Sequence, residues 1–337
     1  MKIGIVNDMP LAVEALRRAL AARLDYDVLW VAQDGQQAVD FCAAQRPDIV
    51  LMDLVMPNVD GIEATRRIMA RAPCAILIVT VDVGANAWRV YEAMGAGALD
   101  AVDTPSLNGP DAHKSIATLI AKIDRIAALV KERNAPGAAA AAAPSNPTSR
   151  DTPLVAIGAS AGGPAALATL LAGLPKDFAA AVVIVQHVDA AFATGMADWL
   201  NQQSAVPVRI AKEGDRPQPG VVLLAATDDH LHLKLPNVLG YTPVPTETPY
   251  RPSVDVFFQS VVARWPARAL GVLLTGMGRD GAIGLKAMRT KGYHTIAQDE
   301  ATSAVYGMPK AAAALDAAAA ILPLPKIAAA IAAAVAR

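Results

Sequence analysis

Ile49-Val50-Leu51-Met52-Asp53-Leu54-Val55-Met56-Pro57, followed at once by Asn58-Val59-Asp60-Gly61, decides the fold of the N-terminal half. Four consecutive apolar residues ending at a carboxylate read as a strand buried on both faces, as in the middle of a parallel sheet. The pattern recurs outward from it. Ile3-Gly4-Ile5-Val6 ends at Asn7-Asp8, and Ile76 to Val79 ends at Thr80. Val28 to Val31 and Ala98 to Val102 read as two further strands. Leu11 to Leu24, Ala38 to Ala44, Ile62 to Met69 and Ala87 to Met94 carry helical apolar spacing, and Asp111 to Arg133 closes the segment as a last helix. Five strand–helix alternations predict a doubly wound α/β domain over 1–133, its parallel sheet covered by helices on both faces.

Residues 134–152 are rich in Ala, Pro and Ser and lack apolar periodicity, which marks a linker. The segment 153–337 then resumes the α/β pattern. Leu154 to Ile157 ends at Gly158, Val182 to Val185 ends at Gln186-His187, and Leu270 to Leu274 ends at Thr275-Gly276. Val221 to Ala225 and His230 to Leu235 read as shorter strands. A second α/β domain with a parallel sheet follows.

The length of 337 residues suits two domains of roughly 150. The chain is 54% hydrophobic, with a mean hydropathy of +0.33, yet no uninterrupted apolar run reaches the ~18 residues of a spanning helix. The Ala-rich stretch 311–336 is broken by Asp316, Pro323, Pro325 and Lys326. The N-terminus lacks the long apolar core of a signal peptide. A cytoplasmic chain without membrane insertion is expected. Residues 1–133 hold 14 Lys/Arg against 17 Asp/Glu, and 153–337 hold 15 against 13. Neither half has the basic footprint of a nucleic-acid-binding domain. Two cysteines, Cys42 and Cys74, are too few for a disulfide framework and sit in apolar contexts, so inert thiols in a reducing compartment are expected.

Asp8, Asp53 and Thr80 each stand at the carboxyl end of a predicted strand, where open α/β sheets bind ligands. Two carboxylates at one edge repel unless a cation neutralises them, and Mg²⁺ takes one or two carboxylates while keeping several waters. A carboxylate beside such a cation can attack phosphorus and become an aspartyl phosphate. The competing reading makes these acids helix N-caps and turn formers. The constellation of Asp53, Met56-Pro57 and Asp60-Gly61 strongly resembles the receiver domain of bacterial response regulators, over residues 1 to about 125. The resemblance implies a flavodoxin-like fold, phosphorylation of Asp53 by a sensor histidine kinase, Mg²⁺ held by Asp8 and Asp53, and Thr80 as the switch residue. Asn7 stands where that family usually has a second acidic residue, and Thr104 where it usually has Lys before Pro.

Gly158-Ala159-Ser160-Ala161-Gly162-Gly163 follows a strand and precedes a helical stretch. A G-x-S-x-G turn at such a junction exposes the serine hydroxyl in a tight bend, with helix N–H groups at hand for an oxyanion. A structural or phosphate-binding Gly-rich loop is the alternative. A serine nucleophile needs a base and the base an orienting acid. His187 is the histidine that directly follows a buried strand, and Asp280 lies in a loop beyond another. His230 and His232 alternate on a predicted strand and could share a metal, although no third ligand is evident. The chain order Ser160, His187, Asp280 differs from the Ser–acid–His order of α/β-hydrolases.

Gly158-Ala159-Ser160, Gln186-His187, Arg251-Pro252-Ser253-Val254-Asp255, Leu274-Thr275-Gly276-Met277-Gly278-Arg279-Asp280-Gly281 and Gly307-Met308-Pro309 closely resemble the CheB family of chemotaxis protein-glutamate methylesterases, over 153 to about 322. By resemblance, Ser160, His187 and Asp280 form a triad, and backbone N–H groups near Ala161 and Met277 form the oxyanion hole. The substrate would be a methyl-accepting receptor, hydrolysed at glutamate γ-methyl esters and deamidated at glutamines, with no cofactor for the esterase chemistry. The resemblance also implies that the unphosphorylated receiver covers the esterase site. Ala161 replaces the Thr common after the nucleophile in that family. Ile3-Gly4-Ile5-Val6-Asn7-Asp8-Met9-Pro10 and Val102-Asp103-Thr104-Pro105 look more specifically like its Wsp-type branch, whose receptor senses surfaces and drives cyclic-di-GMP synthesis. Two other classes compete: a transcription factor, disfavoured by the weak charge of the second half, and a non-catalytic adaptor, disfavoured by the three triad residues.

Overall fold

Ile49, Val50, Leu51 and Met52 are all 0% exposed, as a central strand covered on both faces must be. In the computed structural model, which describes residues 1–83, 86–106, 112–132, 152–248 and 250–336, they form β3 of the first of two compact units. The units divide the chain as Met1–Pro136 and Gly137–Arg337. Apart from Thr152, the predicted linker 134–152 lies outside the described residues.

The first unit runs β1 (Lys2–Val6), α1 (Pro10–Leu20), β2 (Asp27–Ala32), α2 (Gly35–Ala44), β3 (Ile49–Met52), α3 (Gly61–Arg71), β4 (Ala75–Thr80), α4 (Ala87–Gly95), β5 (Asp100–Asp103) and α5 (Ala112–Glu132). Its strands are parallel in the order β2-β1-β3-β4-β5. Ile3, Ile5, Leu51 and Leu77 face Leu16, Leu20, Leu119 and Ile123 from α1 and α5. The β1–β2 register shifts between Ile3 and Gly4. A Cβ on Gly4 would lie 2.3 Å from the Trp30 ring, so glycine makes room for the indole. Helix α1 stops at Leu20, short of the predicted Leu24, and Leu24 is fully exposed because no apolar surface faces it. All five predicted strands and helices form, with ends moved by a few residues.

The second unit runs β6 (Leu154–Ala159), α6 (Gly163–Ala172), β7 (Ala181–Gln186), α7 (Ala190–Gln203), β8 (Val208–Ile210), β9 (Val222–Leu224), β10 (His230–Leu235), β11 (Val238–Thr242), α8 (Val254–Arg264), β12 (Ala269–Leu273), α9 (Ala282–Thr290), β13 (His294–Gln298), α10 (Met308–Ala314), β14 (Ala320–Leu322) and α11 (Leu324–Val335). Seven parallel strands form one sheet in the order β14-β13-β12-β6-β7-β9-β8, and β10 and β11 form an antiparallel hairpin. From β6 the chain first builds toward β7 and later toward β12, so the sheet reverses direction at β6. That reversal opens a crevice at the carboxyl ends of its strands. Phe257, Phe258 and Val261 of α8 pack with Leu231, Leu233 and Leu239 of the hairpin and Val183 and Leu273 of the sheet. Strand β13 escapes an apolar pattern because Thr295 and Gln298 are buried with hydrogen bonds to Ala317 O and Thr275 N. Among the described residues, no helix is long and apolar enough to cross a membrane.

Candidate functional site

Ser160 directly follows β6 and His187 directly follows β7. The two strands pair to their last residues, Ala159 with Gln186, and the His187 N–H continues the ladder to Ala159 O at 3.1 Å. The serine and the histidine therefore leave adjacent strands side by side. The loop after β12, on the other side of β6, brings Asp280. Its carboxylate meets His187 Nε2 at 2.7 Å, with both side chains largely buried, 6% and 11% exposed.

Asp280 is held from several directions. The Val254 N–H donates to Oδ2 at 2.7 Å, the Asp255 N–H to Oδ1 at 3.1 Å, and the Ser253 hydroxyl to Oδ1 at 2.8 Å. These groups are the N-cap and first turn of α8, where unpaired N–H groups and the helix dipole favour an anion. Burial pushes the Asp280 carboxyl up, but His187, Val254 and Ser253 outweigh it and hold the group below the usual carboxylate range. Asp255 sits beside it. Burial and the Asp280 charge raise its carboxyl to about 6, although the Gly284 N–H donates to it at 2.6 Å.

With Nε2 facing the carboxylate, His187 Nδ1 is left buried without a hydrogen-bond partner among the described residues. The tautomer that donates from Nε2 to Asp280 leaves Nδ1 with its lone pair free to accept a proton. The nitrogen left open is Nδ1, the reverse of the arrangement in which a carboxylate holds Nδ1.

The serine turn is fixed by its neighbours. The Ser160 N–H donates to Thr275 O at 3.0 Å, and Gln186 Nε2 donates to Ser160 O at 2.9 Å and to His187 O at 3.2 Å. Gly162 caps α6 in the left-handed region at φ +72°. A Cβ on Gly163 would lie 2.0 Å from Gln186 Oε1, and one on Gly276 would lie 2.8 Å from Ser160 Cβ. The Thr275 hydroxyl donates to Ala161 O at 3.0 Å. The N–H groups of Ala161 and Met277 meet no acceptor among the described residues. The N–H groups of Gly162 and Gly278 likewise meet none, so the two loops leave several unpaired backbone donors around the serine turn.

In the first unit, Asp8, Asp53 and Thr80 come together at the carboxyl edge of β1, β3 and β4. Asp53 is buried, accepts the Leu54 N–H at 2.7 Å and the Asn7 side-chain amide at 3.1 Å. Burial raises its carboxyl above the usual range, the Leu54 and Val55 N–H groups oppose that, and the Asp8 charge adds to the rise. Gly61 closes over Asp53, since a Cβ there would lie 1.9 Å from Asp53 O. Thr80 is buried and accepts from Asn86 Nδ2 at 3.3 Å. The Thr104 N–H donates to Thr80 O at 2.7 Å. Among the described residues no three His, Cys, Asp or Glu side chains group as a metal site. Asn7 Oδ1 is taken by the Met9 N–H at 2.8 Å. A two-carboxylate donor set with mutual repulsion fits a hydrated Mg²⁺ and no tighter cage.

Two family models match the chain: CheB methylesterase over residues 155–331 and the response regulator receiver domain over 3–117. The protein-glutamate methylesterase/protein-glutamine glutaminase 4 of Burkholderia thailandensis is 69% identical over 318 residues, 94% of this chain and 93% of that protein. The chain belongs to the CheB family of response-regulator methylesterases. A second relative named protein-glutamate methylesterase/protein-glutamine glutaminase 1, from Burkholderia lata, is 67% identical over 94% of each chain. The crystal structure of the Thermotoga maritima CheB methylesterase catalytic domain matches at TM-score 0.52 and 33% identity, covering 54% of this chain and 98% of that one.

For this CheB-family chain, the structure brings together Ser160, His187 and Asp280 in one crevice and Asp8, Asp53 and Thr80 at another edge. It does not bring His230 and His232 into a metal site. His230 is fully buried, receives the Ser253 N–H on Nδ1 at 3.0 Å and meets Pro245 O from Nε2 at 2.9 Å. Both ring nitrogens are occupied, and His230 instead pins the segment entering α8. Ser253 and Gln186 belong to the site although the sequence reading assigns them no role. A Ser ahead of an apolar helical run is an N-cap signal, which places Ser253 at the end of a helix that reaches Asp280.

Proposed function

We propose that this chain hydrolyses glutamate γ-methyl esters on a methyl-accepting receptor, and deamidates receptor glutamines, with Ser160 as nucleophile, His187 as base and Asp280 as orienting acid. The observation that carries this is the His187–Asp280 contact at 2.7 Å with His187 Nδ1 left unpartnered. The names of the relatives at 69% and 67% identity support the substrate class. The ester carbonyl docks over Ser160, Nδ1 takes the hydroxyl proton as oxygen attacks carbon, and the Ala161 and Met277 N–H groups receive the oxyanion. Each such donor supplies roughly 3 kcal/mol. His187 then gives the proton to the leaving methoxide, methanol departs, and water attacks the glutamyl-enzyme by the same route. For glutamine the leaving group is ammonia.

In the receiver, Asp53 accepts a phosphoryl group from a sensor kinase. Asp8 and Asp53 would hold Mg²⁺, which supplies charge neutralisation at the phosphoryl oxygens. Thr80 offers its hydroxyl as the switch. Residues 1–133 then act as a regulatory domain joined by the 134–152 linker to the esterase at 153–337. The cytoplasmic part of a receptor is the matching location, and Asn7 and Thr104 favour a receptor of the Wsp-type branch.

The experiment is methanol release from a methylated receptor preparation by the full chain and by Ser160→Ala. Release by the wild type alone is expected. Equal release by both proteins overturns the assignment of Ser160, and release by neither favours a non-catalytic adaptor.

A further inference from the structure

We propose that Tyr250 is a positioning residue that clamps the base His187 against the oxyanion loop; this rests on the reading of Ser160 and His187 as nucleophile and base. The Tyr250 ring lies parallel to the His187 imidazole, with centroids 4.5 Å apart and planes 4° from coplanar. Asp280 fixes the edge of the imidazole that carries Nε2. A half-turn of the ring about its Cβ–Cγ bond would put carbon atoms where Nε2 and Nδ1 now lie, breaking the Asp280 contact and taking the free nitrogen from its place. That turn passes through an orientation perpendicular to the present plane, and a face-stacked neighbour blocks it. Tyr250 therefore holds the buried, unpartnered Nδ1 in its present place. A π face against the imidazole also favours the imidazolium formed during attack.

The other end of the same side chain reaches the second half of the site. A Cβ on Gly278 would lie 2.4 Å from the Tyr250 hydroxyl oxygen. Gly278 follows Met277, whose N–H faces no acceptor among the described residues, and its φ of +78° is one that glycine adopts freely. The phenol thus spans from the imidazole face to the backbone of the oxyanion loop. The segment that carries it is anchored nearby, where His230 receives the Ser253 N–H and Ser253 holds Asp280. One short stretch, 250–253, supplies both the aromatic wall of the base and a ligand of its acid.

The test uses the full chain with Tyr250→Leu, Tyr250→Phe and Tyr250→His, reading the rate at which a fluorophosphonate labels Ser160 and, separately, kcat and KM for methanol release. Loss of the ring in Tyr250→Leu is expected to slow labelling and kcat by about 10- to 100-fold, the scale of a small misplacement of catalytic groups, with KM within about twofold. Tyr250→Phe and Tyr250→His keep a planar ring and are expected to retain labelling within about threefold, a rescue that general loss of packing does not give. Wild-type labelling rates in Tyr250→Leu overturn the clamp. So does an equal fall in all three variants, or a rise in KM with kcat unchanged. If Tyr250→Leu does not fold, the Phe and His variants decide, since slow labelling in both overturns the clamp. Absence of Ser160 labelling in the wild type overturns the esterase reading itself, and the clamp with it.

Discussion

The Ser253 hydroxyl donates to Asp280 Oδ1 at 2.8 Å and accepts the Val256 N–H at 3.3 Å, so the residue that caps α8 also holds the carboxylate that meets His187. Helix stability and acid placement are joined in one oxygen. Ser253→Ala is predicted to lose about 1 kcal/mol from the missing cap. It is also predicted to lower kcat by about 10-fold, because Asp280 loses one hydrogen bond while the Val254 and Asp255 N–H groups remain. Denaturant unfolding and methanol release measure the two losses. Ser253→Thr keeps the hydroxyl and is expected to retain most of both. Unchanged kcat in Ser253→Ala would separate the cap from the chemistry.

Asp280 and Ser160 differ in what else depends on them. Asp280 is buried and receives two backbone N–H groups, a hydroxyl and an imidazole, whereas Ser160 opens a turn held through its backbone. Both Ser160→Ala and Asp280→Ala are predicted to cut methanol release by at least about 10³-fold. Only Asp280→Ala is predicted to lower stability, by about 2–4 kcal/mol, because it strands buried donors. Calorimetric or chemical unfolding of the two variants checks the contrast. Equal stability would mean that the first turn of α8 finds other acceptors.

The positions of Ser160, His187 and Asp53 are legible in the sequence because each ends a run of apolar residues, and a parallel sheet lines such ends along one edge. Strands β8, β11, β13 and β14 are not, since they are short or carry buried polar residues such as Thr295 and Gln298 whose partners lie far along the chain. The orientation of the His187 ring is equally hidden. Which nitrogen faces Asp280 depends on side-chain packing across 93 positions of sequence. His230 and His232 are the converse case. Their alternation suits a shared metal, but the partners of His230 lie 15 and 23 residues away, on the segment entering α8.

The receiver site predicts a dependence on Mg²⁺. Asp53 is raised by burial and by Asp8, so a divalent cation relieves a repulsion already present. Acetyl phosphate with Mg²⁺ is expected to phosphorylate the wild type and not Asp53→Asn, with a chelator abolishing the signal. Asp8→Asn is expected to weaken apparent Mg²⁺ affinity by about 10-fold or more, because Asn7 offers no charge in its place. Phosphorylation of Asp53→Asn at the wild-type level would move the acceptor elsewhere.

Asp255 gives the second unit a pH dependence of opposite sign to that of Asp280. Burial raises the Asp255 carboxyl to about 6 in the folded chain, against 3.8 for the ordinary group. Below the lower value the carboxyl is protonated in both states and costs nothing. As pH rises through about 6 the folded chain must ionise a buried group beside Asp280, and stability is lost. Asp280, held below the usual range, acts the other way and loses its contribution as pH falls. Asp255→Asn keeps an oxygen for the Gly284 N–H and replaces the repulsion with an amide able to donate to Asp280. The variant is therefore predicted to be more stable than the wild type at pH 7, by of order 1 kcal/mol. The difference is predicted to shrink as pH falls from 6 to 4. Urea midpoints of both proteins across that range test it. A constant offset would show that the effect comes from packing rather than from the charge on Asp255.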